Sequence, residues 1–178
     1  MRLPFPRTYW VETRRMLAGC YPGDKDQHVA DDKLTGLINA GITCVINLME
    51  TDEVSHGGQT FAAYEPRLYE VAQQLGRDVD CRRFAIADLS VPSVSRMVEI
   101  LDFMDERLAS GETVYVHCWG GRGRTGTVVA CHLRRTRGLS AAASLSLLGD
   151  LSAHNPDFGQ TPEMHCQREF VSGWKEGA

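Results

Sequence analysis

Short apolar runs that alternate with segments of helical periodicity constrain the fold of this chain most strongly. The runs at 43–49 ("TCVINLM") and 113–117 ("TVYVH") are largely apolar, and 78–89 ("DVDCRRFAIADL") contains a further strand pattern. Continuous apolar runs are typical of strands buried on both faces, as in a parallel sheet covered by helices. The alternation therefore predicts an α/β fold with a central, largely parallel sheet of about four to five strands and helices on both faces.

Segments between and after these runs have the spacing of amphipathic helices. The clearest is 93–111, where apolar residues recur at i, i+3, i+4 and i+7 between Ser93, a suitable N-cap, and Gly111, a helix stop. The segment 124–138 carries basic residues in its last turn, where they suit the helix dipole. The other predicted helices cover 27–41, the later part of 61–76, 140–151 and a last segment that begins near Pro162.

Length and composition limit the classes of protein that this chain can represent. Its 178 residues are 43% hydrophobic and 24% charged, without repeats or linkers, so we predict one domain over 1–178. The net charge of −4 argues against nucleic acid and anionic membranes as partners. No apolar run is long enough to cross a bilayer and no signal peptide is found, so we expect a cytoplasmic monomer without stable membrane insertion.

Cysteine and histidine spacing gives no indication of a metal site. The six cysteines form no C-x-x-C pair, and the six histidines form no H-E-x-x-H motif. In a chain of this length without a secretory signal, free thiols are expected rather than disulfides. We predict neither a metal nor a cofactor.

One stretch, "VYVHCWGGRGRTGTVVAC" at 114–131, joins a predicted strand to a predicted helix through a glycine-rich turn. Glycines permit backbone conformations in which successive N–H groups converge on an anion, and the N-terminus of the following helix adds positive potential. A turn at the carboxyl end of a parallel strand is also a favoured ligand position. The predicted phosphate-binding residues are Trp119, Gly120, Gly121, Arg122, Gly123 and Arg124.

Side chains at both ends of this turn suit phosphoryl chemistry. Arg124 presents a planar guanidinium that binds two phosphate oxygens at once. The same positive field favours a thiolate at Cys118, which makes this cysteine a nucleophile directed at the bound phosphorus. Thr125 is placed to donate a hydrogen bond to the sulfur, and His117 is placed to brace the loop from behind.

A second C-x5-R match, from Cys131 to Arg137, shows that this spacing alone is weak evidence. The second match contains no glycine and lies inside a predicted helix, so we interpret it as chance. Cys118 differs because a strand precedes it and glycines and a helix follow it. The other five cysteines are expected to be buried or unreactive thiols.

The segment "VHCWGGRGRTG" resembles the signature loop, His-Cys-x5-Arg-Ser/Thr, of the cysteine-based protein tyrosine and dual-specificity phosphatases. The stretch "FAIADLSVPS" is similar to the acid loop of that family, and Asp88 lies thirty residues before Cys118. "LAGCYPG" near the start and "TPEMHCQREFVSGW" near the end are similar to small bacterial-type members, so the resemblance covers most of the chain. It implies a dual-specificity-phosphatase-like fold.

The resemblance also implies a role for each matching residue. Cys118 would form a phosphocysteine, while Asp88 would protonate the leaving group and then activate water. Gln167 lies at the family position of a residue that orients this water. Other residues compete for these roles: Asp78 and Asp80 for the acid, and Asn155 for the water.

Several neighbouring residues allow two interpretations. Arg122 either adds positive charge at the mouth of the pocket or faces solvent, and Trp119 either shapes the rim or packs beneath the loop. The acidic run "METDE" is a solvated loop, or Glu50 or Asp52 within it affects access to the site. Some relatives carry a second cysteine that protects the nucleophile by forming a disulfide. Met49 occupies that position in this sequence, so no such disulfide is predicted.

The sequence therefore predicts a metal-independent phosphomonoester hydrolase that acts on phosphotyrosine, and on phosphoserine or phosphothreonine, in proteins or peptides. A compact, dual-specificity-like enzyme is favoured because the recognition loop of large tyrosine-specific members has no match. A phosphoinositide or other small-molecule phosphatase with the same chemistry is the alternative, and Arg122 is the only basic residue between Cys118 and Arg124. A non-catalytic phosphate-binding module is disfavoured because nucleophile, arginine and acid are all present.

Overall fold

The computed structural model describes residues 3–175 and contains the predicted alternation of strands and helices. The strands are β1 (Thr8–Glu12), β2 (Met16–Gly19), β3 (Cys44–Asn47), β4 (Asp80–Arg83) and β5 (Val114–His117). The helices are α1 (Gln27–Asn39), α2 (Glu65–Gln74), α3 (Val94–Ala109), α4 (Arg124–Arg137), α5 (Ala141–Ser152) and α6 (His165–Gly173), with a 3-10 turn at Pro156–Phe158. In the described part of the chain, no helix is both long and apolar enough to cross a membrane.

The five strands form one sheet in the order β1-β2-β5-β3-β4. Strand β5 lies in the centre and pairs in parallel with β2 and β3, and β4 is parallel to β3. Only β1 runs antiparallel to its neighbour. The predicted α/β fold with a largely parallel sheet of four to five strands is confirmed.

Helices cover both faces of the sheet, as predicted, because successive side chains on each strand point to opposite faces. On β5, Val114 and Val116 pack into the apolar cluster that α3, α4, α5 and α6 contribute to, whereas Tyr115 packs into the cluster of α1 and α2. All four residues of β5 are buried. The residue that follows β5 is therefore held at the centre of the sheet's carboxyl edge.

The β1–β2 hairpin is not among the strands predicted from the sequence. Their sequences, TYWVE and MLAG, do not alternate between apolar and polar residues, and β2 has no β-branched or aromatic residue to indicate a strand. Strand β2 owes its position to its pairing with β5, from Met16 opposite Val114 to Gly19 opposite His117. This pairing brings Gly19 and the residues after it beside the glycine-rich turn.

Helix α6 begins at His165, later than the predicted start near Pro162. The residues before it are held against the signature loop, since the Thr161 hydroxyl donates a hydrogen bond of 2.7 Å to the carbonyl oxygen of Arg122. The helix starts only where the backbone N–H of Met164 donates to the side-chain oxygen of Gln167, 3.1 Å away. A local capping hydrogen bond thus marks the start of the helix, while a tertiary contact holds the residues before it against the site.

Candidate active site

Cys118 directly follows β5, and α4 begins six residues later at Arg124. Its side chain is almost completely buried, with 2% of the residue exposed. The neighbouring strands β2 and β3 end at the same edge of the sheet. The predicted strand, turn and helix around Cys118 are therefore present, and they place the thiol where ligands commonly bind in such sheets.

The signature loop, residues 118–124, requires glycine for steric reasons as well as for anion binding. Gly121 has a φ of +79°, and a Cβ atom there would lie 2.5 Å from the carbonyl carbon of Gly19. A Cβ atom on Gly123 would lie 2.9 Å from a carboxylate oxygen of Glu163 and 3.0 Å from the side-chain nitrogen of Gln167. Contacts shorter than 3 Å are not tolerated, so larger residues at Gly121 would displace the loop.

Donors from three distant segments bind carbonyl oxygens of the signature loop. The backbone N–H of Tyr21 donates to Trp119 over 3.0 Å, and Arg7 Nη2 donates to Gly120 over 2.9 Å. Thr161 donates to Arg122, as described above. Carbonyl oxygens repel anions. Hydrogen bonds from the surrounding chain to these oxygens therefore favour a loop conformation in which the N–H groups are free to bind the anion.

Arg124 is buried, and its guanidinium is held by two carboxylates and a carbonyl group. Nη1 donates to Glu53 Oε2 (2.5 Å) and to the carbonyl oxygen of Ile86 (3.0 Å), and Nη2 donates to Glu53 Oε1 (2.8 Å). Asp88 Oδ1 lies 2.9 Å from Nη2 as a second ion pair. Burial, the largest single cause, lowers the pKa of Arg124, but the hydrogen bonds to Glu53 and the charges of the surrounding acidic groups together outweigh it and raise this pKa above its usual value.

Glu53 holds Arg124 although no pattern in the sequence indicates this residue. The acidic run pointed to Glu50 or Asp52, but both of these are exposed, whereas Glu53 is only 7% exposed. The turn of 54–60, closed by a bridge between Val54 and Thr60, follows Glu53 directly. Three carboxylates within four residues look alike in a sequence, so only the tertiary contact with Arg124 identifies the one that matters.

Asp88, and neither of its competitors, lies beside Arg124. The Asp88 side chain is 29% exposed, so it reaches both the buried guanidinium and solvent. Asp80 lies at the start of β4, at the opposite edge of the sheet, where its carboxylate is 3.5 Å from Arg107. Asp78 precedes that strand and is exposed. The structure thus brings together Cys118, Arg124 and Asp88 but not Asp78 or Asp80.

His117 is buried directly behind the signature loop. Its Nε2 is hydrogen-bonded to the Tyr64 hydroxyl at 2.6 Å, and its Nδ1 lies 3.3 Å from the carbonyl oxygen of Cys118. Burial lowers the pKa of His117 to about 3, so the ring is neutral near neutral pH. This position favours the predicted bracing role over proton transfer to substrate.

The depressed pKa of His117 predicts that acid destabilises the fold. The unfolded chain binds a proton at this histidine below its ordinary pKa of about 6.5, whereas the folded chain does so only near pH 3. The free energy of unfolding is therefore at its full value above pH 6.5 and falls progressively as the pH decreases toward 3. Between pH 6.5 and 5 the decrease is about 2 kcal/mol. Urea unfolding of the wild type and His117→Asn at both pH values measures the difference.

His165 provides the matched control for this experiment, because its side chain is 80% exposed. We expect His165→Asn to keep the pH dependence of the wild type and His117→Asn to have a shallower one. Equal pH dependence in wild type and His117→Asn would contradict the assignment.

Gln167 and Asn155, the two candidates for orienting water, differ in position. Gln167 is buried against Gly123, and its side-chain nitrogen donates to the carbonyl oxygen of Ser90 in the acid loop over 3.1 Å. Asn155 instead binds the backbone of the N-terminal segment, accepting from the N–H of Arg7 (3.0 Å). Gln167 therefore links the signature loop to the acid loop, whereas the amide of Asn155 is engaged elsewhere.

The remaining predicted residues lie in or against the loop. Trp119 is half-buried and belongs to an aromatic group, with ring centres 5.3 Å from Phe61 and 4.6 Å from His56. The Thr125 hydroxyl is buried and donates to the carbonyl oxygen of Gly19 over 3.4 Å. The Arg122 side chain is 38% exposed, and its guanidinium forms an ion pair with Glu163 and donates to the carbonyl oxygen of Phe158.

Comparisons with known proteins agree with this fold and loop. The family model described as "Polymorphic toxin system, DSP-PTPase phosphatase" matches residues 22–138, a range that includes Asp88, Cys118 and Arg124. Among curated proteins, the chain is 29% identical over 137 residues to protein tyrosine phosphatase domain-containing protein 1 of Danio rerio, covering 74% of this chain and 18% of that one. It is 30% identical over 129 residues to the phosphatidylglycerophosphate phosphatase PTPMT2 of Arabidopsis thaliana, covering 72% and 48%.

Solved structures share the fold over nearly the whole chain. The structure of Tk-PTP in the active form has a TM-score of 0.74 at 24% identity and covers 98% of this chain and 99% of its own. PTPMT1 in complex with PI(5)P has a TM-score of 0.69 at 18% identity and covers 94% of both chains. Fold and signature loop thus define the class of cysteine-dependent protein tyrosine and dual-specificity phosphatases. Within it, the chain belongs to the polymorphic toxin system DSP-PTPase phosphatase family, although it spans less than half the length of the curated relatives named above.

Proposed function

We propose that residues 1–178 form a single phosphatase domain that hydrolyses phosphomonoesters through a phosphocysteine on Cys118, without a metal ion. The substrates are phosphotyrosine and also phosphoserine or phosphothreonine in proteins or peptides. One observation carries the proposal: Asp88 lies 2.9 Å from the guanidinium of Arg124, which in turn begins the helix that follows the Cys118 loop. Acid, anion-binding group and nucleophile thus meet at one edge of the sheet.

Phosphate binding has to reorganise the contacts of Arg124. Glu53 bridges both Nη atoms, while Nε takes part in none of the four contacts described above. The partly exposed Asp88 is the carboxylate that a phosphate dianion can replace, because Glu53 is buried and held by two hydrogen bonds. The arriving phosphate would therefore displace Asp88 from Arg124 and free its carboxyl group to face the leaving oxygen.

The two chemical steps follow from this arrangement. Cys118 Sγ attacks phosphorus, the bond from phosphorus to the leaving oxygen breaks, and Asp88 gives its proton to that oxygen. Water then attacks the phosphocysteine, Asp88 takes a proton from this water, and the sulfur–phosphorus bond breaks to release inorganic phosphate. Loop N–H groups and Arg124 stabilise the charge on the phosphoryl oxygens in both steps. Gln167 remains our candidate for orienting the water, once its amide leaves the carbonyl group of Ser90.

Asp88→Asn is expected to slow turnover most for substrates with poor leaving groups. An alkyl or unactivated aryl oxygen needs a proton as it departs, so kcat should fall by roughly 10²- to 10⁴-fold. A nitro-substituted aryl oxygen departs as a stable anion, so the decrease in kcat should be smaller for such a substrate. Steady-state kinetics over a series of aryl phosphates with graded leaving-group pKa, with a chelator present, measures the dependence.

Asp78→Asn is the matched control, since Asp78 is an exposed carboxylate in the same segment. Its kinetics should equal those of the wild type for every leaving group. If Asp88→Asn lowers kcat by the same factor for all substrates, Asp88 is not the acid. If turnover requires an added divalent metal ion, the whole mechanism is wrong.

A second candidate substrate class is a phospholipid or phosphoinositide. It is favoured by the likeness to PTPMT2, which carries the name phosphatidylglycerophosphate phosphatase. The neutralisation of Arg122 by Glu163 weighs against it, because a multiply charged headgroup would need free cations around the signature loop. Comparing kcat/KM on phosphotyrosine peptides, phosphoserine peptides, inositol phosphates and phosphoinositides would rank these classes.

A further inference from the structure

A cleft of about 600 Å³ opens beside the signature loop and is larger than a phosphate group requires. Trp119, the residue after Cys118, forms one of its walls together with Tyr21 and Phe61. The ring centres of Phe61 lie 5.1 Å from Tyr21 and 5.3 Å from Trp119, so these rings form a continuous surface. The cleft therefore adjoins the proposed phosphate site and is of a size that holds several side chains or a peptide segment.

The charged groups of this cleft are mainly basic. Lys33 is paired with Asp24 at 2.7 Å, so its charge is compensated. Lys25 is exposed and contacts the neutral side-chain oxygen of Gln59, and Arg7 lies against the carbonyl oxygen of Gly120. Within residues 3–175, neither Lys25 nor Arg7 has a carboxylate within ion-pair distance. Two cations without a carboxylate partner thus line the cleft that Trp119 of the signature loop also lines, in a chain whose net charge is −4.

We propose that this cleft binds an acidic side chain of a phosphopeptide, close to the phosphorylated residue, through Lys25 and Arg7. The proposal rests on the function proposed above and specifies its substrate class. Charge complementarity supports an anionic group, and the aromatic wall offers a surface for the apolar part of a neighbouring residue. A peptide fits better than a membrane surface, because recognition of anionic lipids relies on larger clusters of lysine and arginine.

The experiment moves one glutamate along an alanine-rich phosphotyrosine peptide, on both sides of the phosphotyrosine. We expect kcat/KM to rise about two- to fivefold at one or two adjacent positions on a single side, the effect of a partly exposed ion pair. Added salt should remove this preference. Lys25→Glu should abolish it and favour a peptide with lysine at the same position, because the charges are then exchanged.

Lys175→Glu is the matched control, since it makes the same charge change at an exposed residue that lines a different cavity. It should keep the glutamate preference of the wild type. The proposal would be overturned if kcat/KM at low salt did not depend on the position of the glutamate, or if Lys25→Glu kept the wild-type preference. A Lys25-dependent preference for anionic vesicles over all peptides would also overturn it.

Failure of the subsite and failure of the proposed function can be told apart. Wild-type turnover of a small aryl phosphate reports the function alone, because such a substrate has no acidic side chain for Lys25 or Arg7 to bind. The glutamate preference is also measured as peptide binding to Cys118→Ser by fluorescence anisotropy, which requires no catalysis. Absence of the preference in both assays refutes the subsite even when the aryl phosphate is hydrolysed.

Discussion

Cys118→Ser is expected to lower turnover of every phosphomonoester substrate by roughly 10⁴-fold or more, because a serine hydroxyl without an adjacent base is a weak nucleophile. The variant should still bind phosphate and vanadate, since the loop N–H groups and Arg124 are unchanged. Rapid quenching of the wild type should in addition trap phosphate on Cys118. Kinetics, calorimetric anion titration and mass spectrometry of the quenched enzyme measure these results.

The chain supplies its own controls for this substitution. Cys131 begins the second C-x5-R match but is buried inside α4, and Cys166 is exposed on α6. Burial raises the pKa of Cys131 to about 12, which makes it a poor nucleophile. Folded Cys131→Ala and Cys166→Ser should both retain turnover. Substantial turnover by Cys118→Ser, or phosphate trapped on another cysteine, would refute the proposed nucleophile.

Glu53→Gln is expected to have the second largest effect, on stability and on activity. It removes the charge of the carboxylate that bridges both Nη atoms of buried Arg124, and removing one partner of a buried ion pair costs about 3 kcal/mol. Because the guanidinium then loses its fixed orientation, kcat/KM should fall by roughly 10- to 100-fold. Vanadate should stabilise this variant more than the wild type, since the anion restores a charge partner to Arg124.

Denaturant unfolding with and without vanadate, together with steady-state kinetics, tests this expectation. Glu50→Gln makes the same change at an exposed residue of the same acidic run, and it should leave stability within about 0.5 kcal/mol of the wild type. If the two variants are equally stable and equally active, Glu53 does not position Arg124.

Much of the site was predictable because its residues are close together in the chain. A buried strand, a glycine-rich turn and a helix that begins at Arg124 all lie within 114–131, so local sequence specifies both the loop and its neighbours. The prediction of Asp88 as the acid was based on the resemblance to a family motif, and the structure places this residue beside Arg124. The helix boundaries that depend on local caps, such as Ser93 of α3, were likewise predictable.

The contacts that hold the signature loop from outside could not be predicted in this way. Glu53 is separated from Arg124 by 71 residues, and Arg7 from Gly120 by 113. Nothing in the run "METDE" distinguishes the buried carboxylate from its exposed neighbours. The pairing of Arg122 with Glu163 also depends on where the segment before α6 lies, so its charge could not be assigned from the sequence.

The sequence by itself determined the alternating fold and the strand–turn–helix arrangement around Cys118. These features depend on residue periodicity, glycine content and spacing, which are local properties of the chain. Only the tertiary structure decided that Glu53 holds Arg124, that Asp88 rather than Asp78 or Asp80 lies beside Arg124, and that Lys25 and Arg7 line a cleft together with Trp119. These relations join segments that meet only when the sheet and its connecting loops have assembled.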